Sequence, residues 1–534
     1  KYLKDLKMPI AIPTVDIKEG KEYVFTNRQI DKTKKIAVNT IFLCFRMLVL
    51  MLISFYSSRV LLKELGVTDF GIYGLVGGVV AIFSSLRGLF ATATQRFLNY
   101  EMGNDNIGAL QKVFNMSILI NVIISLVFCI IAEGIGLWFL NNKLVIDSAR
   151  MVSAHWVFHL SILASMVSIM TIPFDAVIIA HERMSFYAFI SILNAFLRLG
   201  AILILPFFAM DKLQLYSMLI LAVSLLMRLL CSIYCKVNFE ECKYKFYWNK
   251  SLFKEMGSFA GWNFAGSFAY SYVNEGLNIV LNLFGGVVVN AARTIAYQIK
   301  NAITTLLYNV MLAIQPQATQ LYAKGEFNSF FKMLFVGARV VVFFYLSIAF
   351  PVYFYIEDIL SIWLTTVPEH TIAFVRTILI YLAIRSFHEP IDIFYMIIGK
   401  LKVYQITEFI VLGAALPLSY IVLKYTSLPL YSVFIIMAIV EFINFFIILY
   451  IAKRIGRFDL ELYVKKVFVP FFYTFFCMCF CSYLINIIYN SYEYTAYYCI
   501  LPILINVLCF CGISLMFGFN LEERKALKRI ILRK

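Results

Sequence analysis

The sequence predicts an all-α polytopic membrane protein with about 14 transmembrane helices. Of its 534 residues, 62% are hydrophobic and only 15% are charged, whereas soluble domains contain roughly 45–50% apolar and about 25% charged residues. The apolar residues lie in long blocks of the ~20 residues that a helix needs to cross a bilayer. A chain of several soluble domains and a barrel of alternating ~10-residue strands are both excluded by these long blocks.

The apolar blocks define fourteen spans, numbered here in chain order. Spans 1 to 7 are predicted over residues 38–62, 71–94, 113–140, 150–180, 184–208, 213–236 and 254–282. Spans 8 to 14 are predicted over residues 287–315, 331–356, 371–399, 403–423, 429–452, 467–489 and 497–518. An even number of spans places both termini on the same side of the membrane.

The distribution of basic residues predicts which side that is. Loops after even-numbered spans contain 17 Lys and Arg residues, whereas loops after odd-numbered spans contain 5, namely Lys63, Lys143, Arg150, Lys212 and Lys424. Cytoplasmic loops of membrane proteins carry the excess of Lys and Arg. We therefore expect both termini in the cytoplasm, and the net charge of +16 reflects orientation rather than binding to nucleic acid.

A weak internal repeat predicts two lobes. Residues 93–97 (Ala-Thr-Gln-Arg-Phe) end span 2, and residues 318–322 (Ala-Thr-Gln-Leu-Tyr) end span 8, six spans later. An offset of an even number of spans gives a parallel repeat of two six-helix lobes plus two extra helices. The predicted organisation is a polar cytoplasmic tail (1–35), an N-lobe of spans 1–6 (36–236), a cytoplasmic linker (237–253), a C-lobe of spans 7–12 (254–455), spans 13–14 (456–518) and a basic cytoplasmic tail (519–534).

The region around span 2 resembles the Wzx-type polysaccharide flippases, which belong to the MATE-like multidrug/oligosaccharidyl-lipid/polysaccharide (MOP) exporter superfamily. The resemblance lies in Arg59-Val60-Leu61-Leu62, Leu65-Gly66-Val67, Asp69-Phe70-Gly71-Ile72-Tyr73, Gly77-Gly78 and Ala93-Thr94-Gln95-Arg96-Phe97. It implies that the chain is not an enzyme and moves an undecaprenyl-diphosphate-linked oligosaccharide across the bacterial inner membrane by alternating access. The implied process is O-antigen (lipopolysaccharide) or capsule biosynthesis.

The same resemblance implies the partners of the chain. These are the lipid-linked oligosaccharide, membrane lipids, and the polysaccharide polymerase and glycosyltransferases of the same process, with no nucleic acid. The sequence contains no phosphate-cradling glycine loop, dinucleotide fingerprint or hydrolase motif. We expect no cofactor, no metal and no catalytic residues.

Charged residues inside the spans point to the substrate, because each costs about 2.5–3.5 kcal/mol or more at a helix centre. The spans contain ten cations, namely Arg46, Arg59, Arg87, Arg198, Arg228, Arg293, Lys300, Arg339, Arg376 and Arg385. The anions are fewer, namely Glu133, Asp175, Glu275, Glu389, Asp392, Glu408 and Glu441. This surplus predicts a net positive interior that favours an anionic cargo such as a diphosphate.

Span 8 carries the strongest candidate binding face. Arg293, Tyr297 and Lys300 follow at spacings of four and three residues, which places them on one face of a helix. The two cations would lie about 10 Å apart along the helix axis and would meet a diphosphate and an adjoining sugar together. We predict that these residues bind substrate, with Asn274 on span 7.

Spans 1 and 2 add three predicted substrate-binding residues, namely Arg46, Arg59 and Arg87. With spans 7 and 8 they would line one central cavity between the lobes. Glu275 is interpreted as the charge partner of one of these cations, with a proton or cation site as the alternative. Polar faces also pack membrane helices together, and arginines near span ends extend to headgroups, so a purely structural role stays open.

Two other functions are compatible with parts of the sequence. A multidrug/cation antiporter of the same fold would need an acidic, aromatic pocket for organic cations, which the cation surplus disfavours. A membrane polysaccharide polymerase or glycosyltransferase would need catalytic carboxylates or a large extramembrane loop, and the longest internal loop is about residues 237–253.

Overall fold

The structure is a computed structural model that describes residues 11–16, 21–84, 94–95, 97–98, 101–102, 107–181, 183–456, 458–490 and 500–518. Within these residues, ten helical segments are long and apolar enough to cross a membrane. A helix satisfies its backbone hydrogen bonds internally, as a segment in lipid must. The predicted all-α polytopic fold is confirmed.

A short antiparallel hairpin precedes the helices. Strand β1 (Ala11–Asp16) pairs with β2 (Lys21–Thr26), inside the segment 1–35 that the sequence predicts as a polar tail. Both strands are rich in the β-branched and aromatic residues that favour extended backbone. The first helix then begins at Asn27, so the end of the predicted tail is helical.

Seven helices are seen in the described residues of the N-terminal half. They are α1 (Asn27–Ser84), α2 (Ile107–Ile131), α3 (Leu137–Asn142), α4 (Met151–Ile169), α5 (Ile172–Ala180), α6 (Met184–Ile204) and α7 (Lys212–Asn238). A π-helical turn at Ala132–Gly136 joins α2 to α3. Single 3-10 turns lie at Ser148–Arg150, Leu205–Phe207 and Glu240–Cys242.

The C-terminal half contains ten helices in its described residues. They are α8 (Lys250–Ala323), α9 (Phe327–Phe354), α10 (Ile356–Trp363), α11 (Thr371–Ile397), α12 (Leu401–Gly413), α13 (Ala415–Tyr425), α14 (Ser432–Gly456), α15 (Leu460–Tyr463), α16 (Val469–Asn490) and α17 (Ile500–Ile513). Two π-helical turns, Val464–Phe468 and Ser514–Gly518, complete it.

The two longest helices, α1 and α8, each reverse direction at one glycine. Gly66 in α1 has φ 75° and ψ 173°, and Gly286 in α8 has φ 68° and ψ −170°. Glycine adopts positive φ without the steric cost that a side chain adds. Each long helix therefore contains two of the predicted spans, 1–2 and 7–8, joined at a glycine.

These two hairpins pack tightly against each other. A side chain at Gly71 would collide with the backbone oxygen of Val287, and one at Gly74 would collide with the hydroxyl of Thr294. Small residues let membrane helices approach until their backbones touch. The glycines of span 2 thus bring the second half of α1 against α8.

Candidate substrate-binding cavity

A cavity of about 550 Å³ lies between α1 and α8. Both halves of the α1 hairpin and both halves of the α8 hairpin contribute to its wall. The polar lining residues are Ser54, Glu275, Arg293, Thr294, Tyr297, Gln298, Asn301 and Thr305. The volume falls in the range of about 300–1,000 Å³ that is typical of small-molecule sites.

Arg293 is the cation in the described wall of this cavity. Its Nη2 donates a hydrogen bond of 2.5 Å to the backbone oxygen of Asn274 and lies 3.6 Å from Oε2 of Glu275. The guanidinium carbon is 3.8 Å from the centre of the Tyr297 ring. A stacked, hydrogen-bonded guanidinium is held in a fixed plane. Both polar contacts use Nη2, so Nη1 is left for a ligand.

Lys300 is placed differently from the prediction. Its Nζ donates a hydrogen bond of 2.8 Å to Oδ1 of Asn274 and lies 4.5 Å from the Tyr297 ring and 5.3 Å from the Tyr381 ring. The amide and the two aromatic faces hold the ammonium group behind Tyr297, where it is 2% exposed. Lys300 does not line the cavity, and with Asn274 it supports Tyr297 and Arg293 from behind.

The asparagines of spans 7 and 8 join the two halves of α8 to each other. Asn282 donates to Oδ1 of Asn290 (3.0 Å), and Asn290 donates to the backbone oxygen of Asn278 (2.8 Å). All three are buried. The polar faces predicted to line the cavity are in this part a hydrogen-bonded helix contact.

A polar stripe that was not predicted from the sequence also lines the cavity. Thr294, Gln298, Asn301 and Thr305 follow at spacings of four, three and four residues, and all contribute to the wall. This face is adjacent to the predicted one. The helical spacing of these four residues is visible in the sequence, but the predicted binding face was chosen for its charged residues.

Arg46 and Arg59, which were also predicted to bind substrate, lie apart from this cavity. Nη1 of Arg46 donates to Oγ of Ser191 over 3.4 Å, and its guanidinium lies 4.9 Å from the Tyr187 ring on α6. Nη1 of Arg59 donates to the backbone oxygen of Ile362 over 2.9 Å. Both long side chains point away from the central wall, toward α6 and α10. Arg87 lies outside the described residues.

A group of acidic residues surrounds Arg385 on α11, an arrangement that the count of charged residues in the spans did not predict. Arg385 on α11 contacts four carboxylates, with Nη1 2.6 Å from Glu408, Nη2 2.7 Å from Asp392, and Glu441 and Glu389 at 3.3 and 3.5 Å. His388 Nδ1 adds a contact of 2.7 Å to Glu441. We refer to these six residues as the Arg385 cluster.

The Arg385 cluster is a local exception to the predicted surplus of cations over anions inside the spans. Four carboxylates surround one arginine and one histidine, so acidic groups outnumber basic ones in this part of the described structure. Arg376 is paired with Glu357 at 3.2 Å at the end of α11, and both are exposed. The positive charge in the described cavity wall is that of Arg293. The number of cations in the spans does not indicate how many of them line the cavity.

Solved structures of similar fold are found among membrane transporters. The inward-facing conformation of a multidrug resistance MATE family transporter of the MOP superfamily matches with a TM-score of 0.65 at 13% identity, covering 78% of this chain and 98% of that one. An outward-facing conformation of a multidrug resistance MATE family transporter of the same superfamily gives a TM-score of 0.57 at 14% identity, over 78% and 96%.

A flippase has a similar structure as well. The lipid II flippase MurJ, in an inward closed conformation, matches with a TM-score of 0.68 at 14% identity, covering 90% of this chain and 98% of that one. No protein-family model and no curated protein matches the sequence significantly. The chain therefore has the fold shared by the MATE transporters of the MOP superfamily and the lipid II flippase MurJ.

Proposed function

We propose that this multi-pass membrane protein is a flippase. Its cargo is an undecaprenyl-diphosphate-linked oligosaccharide, moved from the cytoplasmic to the periplasmic leaflet of the bacterial inner membrane for O-antigen or capsule synthesis. The observation that carries the proposal is the guanidinium of Arg293 in the wall of the cavity between the α1 and α8 hairpins. The resemblance of residues 59–97 to the Wzx-type flippases supports the same cargo.

The cavity wall suits a diphosphate joined to sugars. Arg293 presents Nη1 toward ligand while Nη2 is held by Asn274, and a guanidinium binds phosphate oxygens in its own plane. Gln298, Asn301 and Thr305 offer amide and hydroxyl groups to sugar hydroxyls, while the Tyr297 ring is stacked on the Arg293 guanidinium. The cavity therefore combines one anion-binding group with several neutral polar groups.

Release of the cargo requires that its phosphate be displaced from Arg293. Glu275 lies 3.6 Å from Nη2 of Arg293, beyond hydrogen-bond distance, and lines the same cavity. It is therefore close enough to compete for the guanidinium once the cavity changes shape. A carboxylate that exchanges with the phosphate would keep the arginine paired in both states, which avoids the cost of a bare charge in the membrane.

An energy source that is not ATP fits the residues present. We infer that an ion gradient or the flux of cargo drives transport, and the Arg385 cluster is the site in the C-lobe best suited to exchange a cation. Oε2 of Glu441 has no hydrogen-bond partner among the described residues. Excess buried carboxylates of this kind take up a proton or a cation to reduce the charge.

A multidrug/cation antiporter is the second candidate, favoured by Glu275 in the cavity wall. An organic cation would pair with Glu275 and be repelled by Arg293. Purified protein in proteoliposomes separates the two. We expect ATP-free flipping of an undecaprenyl-diphosphate-linked oligosaccharide and no movement of a cationic dye. Dye transport without flipping would establish the antiporter instead.

A further inference from the structure

A second compartment adjoins the central cavity on the N-lobe side. It measures about 410 Å³ and lies between α1, α6 and α7. Its polar lining residues are Ser54, Ser57, Ser58, Tyr73, Arg198, Tyr216 and Thr294. No carboxylate is present among its lining residues in the described part of the chain.

The two compartments form one continuous space. Leu50, Ser54, Gly74, Gly77 and Thr294 belong to the walls of both. A side chain built at Gly77 would meet no atom within 4 Å, so the helix surface there is open. A ligand bound at Arg293 can therefore extend past this glycine into the N-lobe compartment.

Arg198 on α6 is the one charged group in the described wall of the second compartment. Its Nε donates a long hydrogen bond of 3.3 Å to Oδ1 of Asn194. Among the described residues no carboxylate forms an ion pair with it, in contrast to Arg293, Arg376 and Arg385. An arginine inside a membrane segment is costly unless water or a partner compensates it.

The groups around Arg198 are of the kinds with which proteins bind sugars. Tyr73 and Tyr216 form an edge-to-face pair with ring centres 5.0 Å apart, which presents aromatic surface to a pyranose ring. The serine hydroxyls of α1 both donate and accept hydrogen bonds. A guanidinium beside them selects a planar anion, because it donates two parallel hydrogen bonds to a carboxylate or phosphate.

We propose that the Arg198 compartment is a specificity site for an acidic sugar of the cargo, one carrying a carboxylate or phosphate substituent. This inference rests on the proposed flippase function. In this arrangement Arg293 binds the diphosphate that every cargo of the class contains, whereas Arg198 recognises the acidic group of the sugar. The chain would then prefer acidic oligosaccharides over neutral ones of equal length.

Flipping assays with two synthetic cargos test the site. Each cargo is an undecaprenyl-diphosphate-linked disaccharide, one ending in glucuronate and the other in glucose, and rates are measured in proteoliposomes for wild-type protein and Arg198→Gln. We expect the substitution to slow the glucuronate cargo roughly 10- to 100-fold, the effect of losing a hydrogen bond to a charged group. The glucose cargo should move within about twofold of the wild-type rate, since hydrogen bonds to sugar hydroxyls remain.

Two further variants guard the interpretation. Arg228→Gln removes an arginine of α7 that lines neither compartment, and it should leave both rates unchanged. Arg198→Lys keeps the charge without the planar fork and should restore part of the glucuronate rate.

Three results would count against the proposal in different ways. An equal loss with both cargos would mean that Arg198 binds the shared diphosphate or maintains the fold. Unchanged rates with both cargos would mean that the compartment does not contact cargo. Wild-type protein that moves neither cargo would overturn the flippase function itself.

Discussion

The indole Nε1 of Trp363 donates a hydrogen bond of 2.8 Å to the backbone oxygen of Phe55, across 308 residues of sequence. The rings of the same two residues meet edge to face with centres 4.8 Å apart. One turn further along α1, Arg59 binds the backbone oxygen of Ile362. These contacts attach α10, the short helix between α9 and α11, to the first half of α1.

We expect Trp363→Ala to open the cavity at the α10 end, which the loop charges predict to be periplasmic. Alternating access requires the lobes to separate there, and the substitution removes the indole hydrogen bond and its ring contact. The measurement is the rate at which a membrane-impermeant maleimide labels Ser54→Cys from that side. The rate should rise several-fold over the same cysteine in an otherwise wild-type chain.

Trp156→Ala serves as the matched control, because this tryptophan of α4 is 44% exposed and lines neither compartment. It should leave labelling at the wild-type level. A folded Trp363→Ala protein with unchanged labelling would mean that α10 does not hold the lobes together.

The contact between Gly71 and Val287 gives a second prediction. An alanine at Gly71 would place its Cβ against the backbone oxygen of Val287, and a backbone atom cannot move aside as a flexible side chain can. Alanine at Gly77 meets nothing within 4 Å. Because alanine is favoured over glycine inside a helix by roughly 0.5–1 kcal/mol, Gly77→Ala should raise the melting temperature slightly.

Gly71→Ala should lower it, since the steric cost exceeds that gain. The melting temperatures of both variants in the same detergent decide the question. Equal shifts in the same direction would show that the two hairpins have room to separate without loss of stability.

Helices α1 and α8 show how much of the fold the sequence predicts. The long apolar blocks predicted the membrane spans, because length and hydropathy are properties of each segment alone. The predicted spans already required the chain to reverse between residues 62 and 71 and between residues 282 and 287. They did not predict that each reversal occurs at one glycine of positive φ, with helix continuing directly on both sides.

The site was predicted less completely, for a physical reason. Helical spacing shows which residues share a face but not which partner that face meets. Arg293 and Tyr297 do line the cavity, while Lys300, two turns from Arg293, is captured by Asn274 and two tyrosine rings. In the sequence, Arg385 is one of the cations that predict a net positive interior. In the structure, four carboxylates surround it.

A third prediction concerns a pH-dependent contact between Arg150, at the start of a span, and Asp211, just before another. Nη1 of Arg150 donates a hydrogen bond of 2.6 Å to Asp211, which also caps α7. Burial acts to raise the pKa of Asp211, but the hydrogen bonds from Arg150 and the α7 backbone outweigh it and hold the pKa below its usual 3.8. A carboxyl with a lowered pKa stabilises the fold above its unfolded pKa, and this stabilisation is lost as the pH falls through the folded pKa.

Asp211→Asn should therefore reduce the free energy of unfolding by about 1.5 kcal/mol or more at pH 7, and the difference should shrink below pH 4. Asparagine still caps the helix, so the change isolates the charge. Asp147→Asn, at an exposed cap outside this ion pair, should change stability much less. A difference between wild type and Asp211→Asn that persists undiminished at pH 3 would contradict this account.

The Arg385 cluster gives the fourth prediction. Removing one partner of a buried ion pair costs about 3–5 kcal/mol, because the remaining charges are left uncompensated. Arg385→Gln would leave four carboxylates facing one another and should strongly destabilise the protein. The measurement is thermal unfolding in detergent, followed as loss of monodisperse protein.

Arg376→Gln is the control for the loss of a charge as such. Its pair with Glu357 is exposed, and exposed pairs contribute only about 0–1 kcal/mol. Arg385→Gln combined with Glu408→Gln should recover part of the stability by removing one of the unpaired carboxylates. Equal melting temperatures for Arg385→Gln and Arg376→Gln would show that the cluster is hydrated rather than buried.

The last prediction concerns Arg293, the residue on which the proposed function depends most directly. Its Nη2 is held by Asn274, its plane is stacked on Tyr297, and the residue lines the cavity. Replacing it with Gln removes the charge and should slow flipping of lipid-linked oligosaccharide by roughly 10- to 100-fold, equivalent to about 1.5–3 kcal/mol. Arg293→Lys keeps the charge but loses the fork and should recover only part of the rate.

Arg228→Gln again provides an arginine outside both compartments and should flip at the wild-type rate. Surface polysaccharide in a flippase-null strain gives a second readout, and each variant is compared at equal protein level. If cargo bound elsewhere and Arg293 only paired Glu275, then Arg293→Gln with Glu275→Gln would restore flipping, and diphosphate recognition by Arg293 would be disproved.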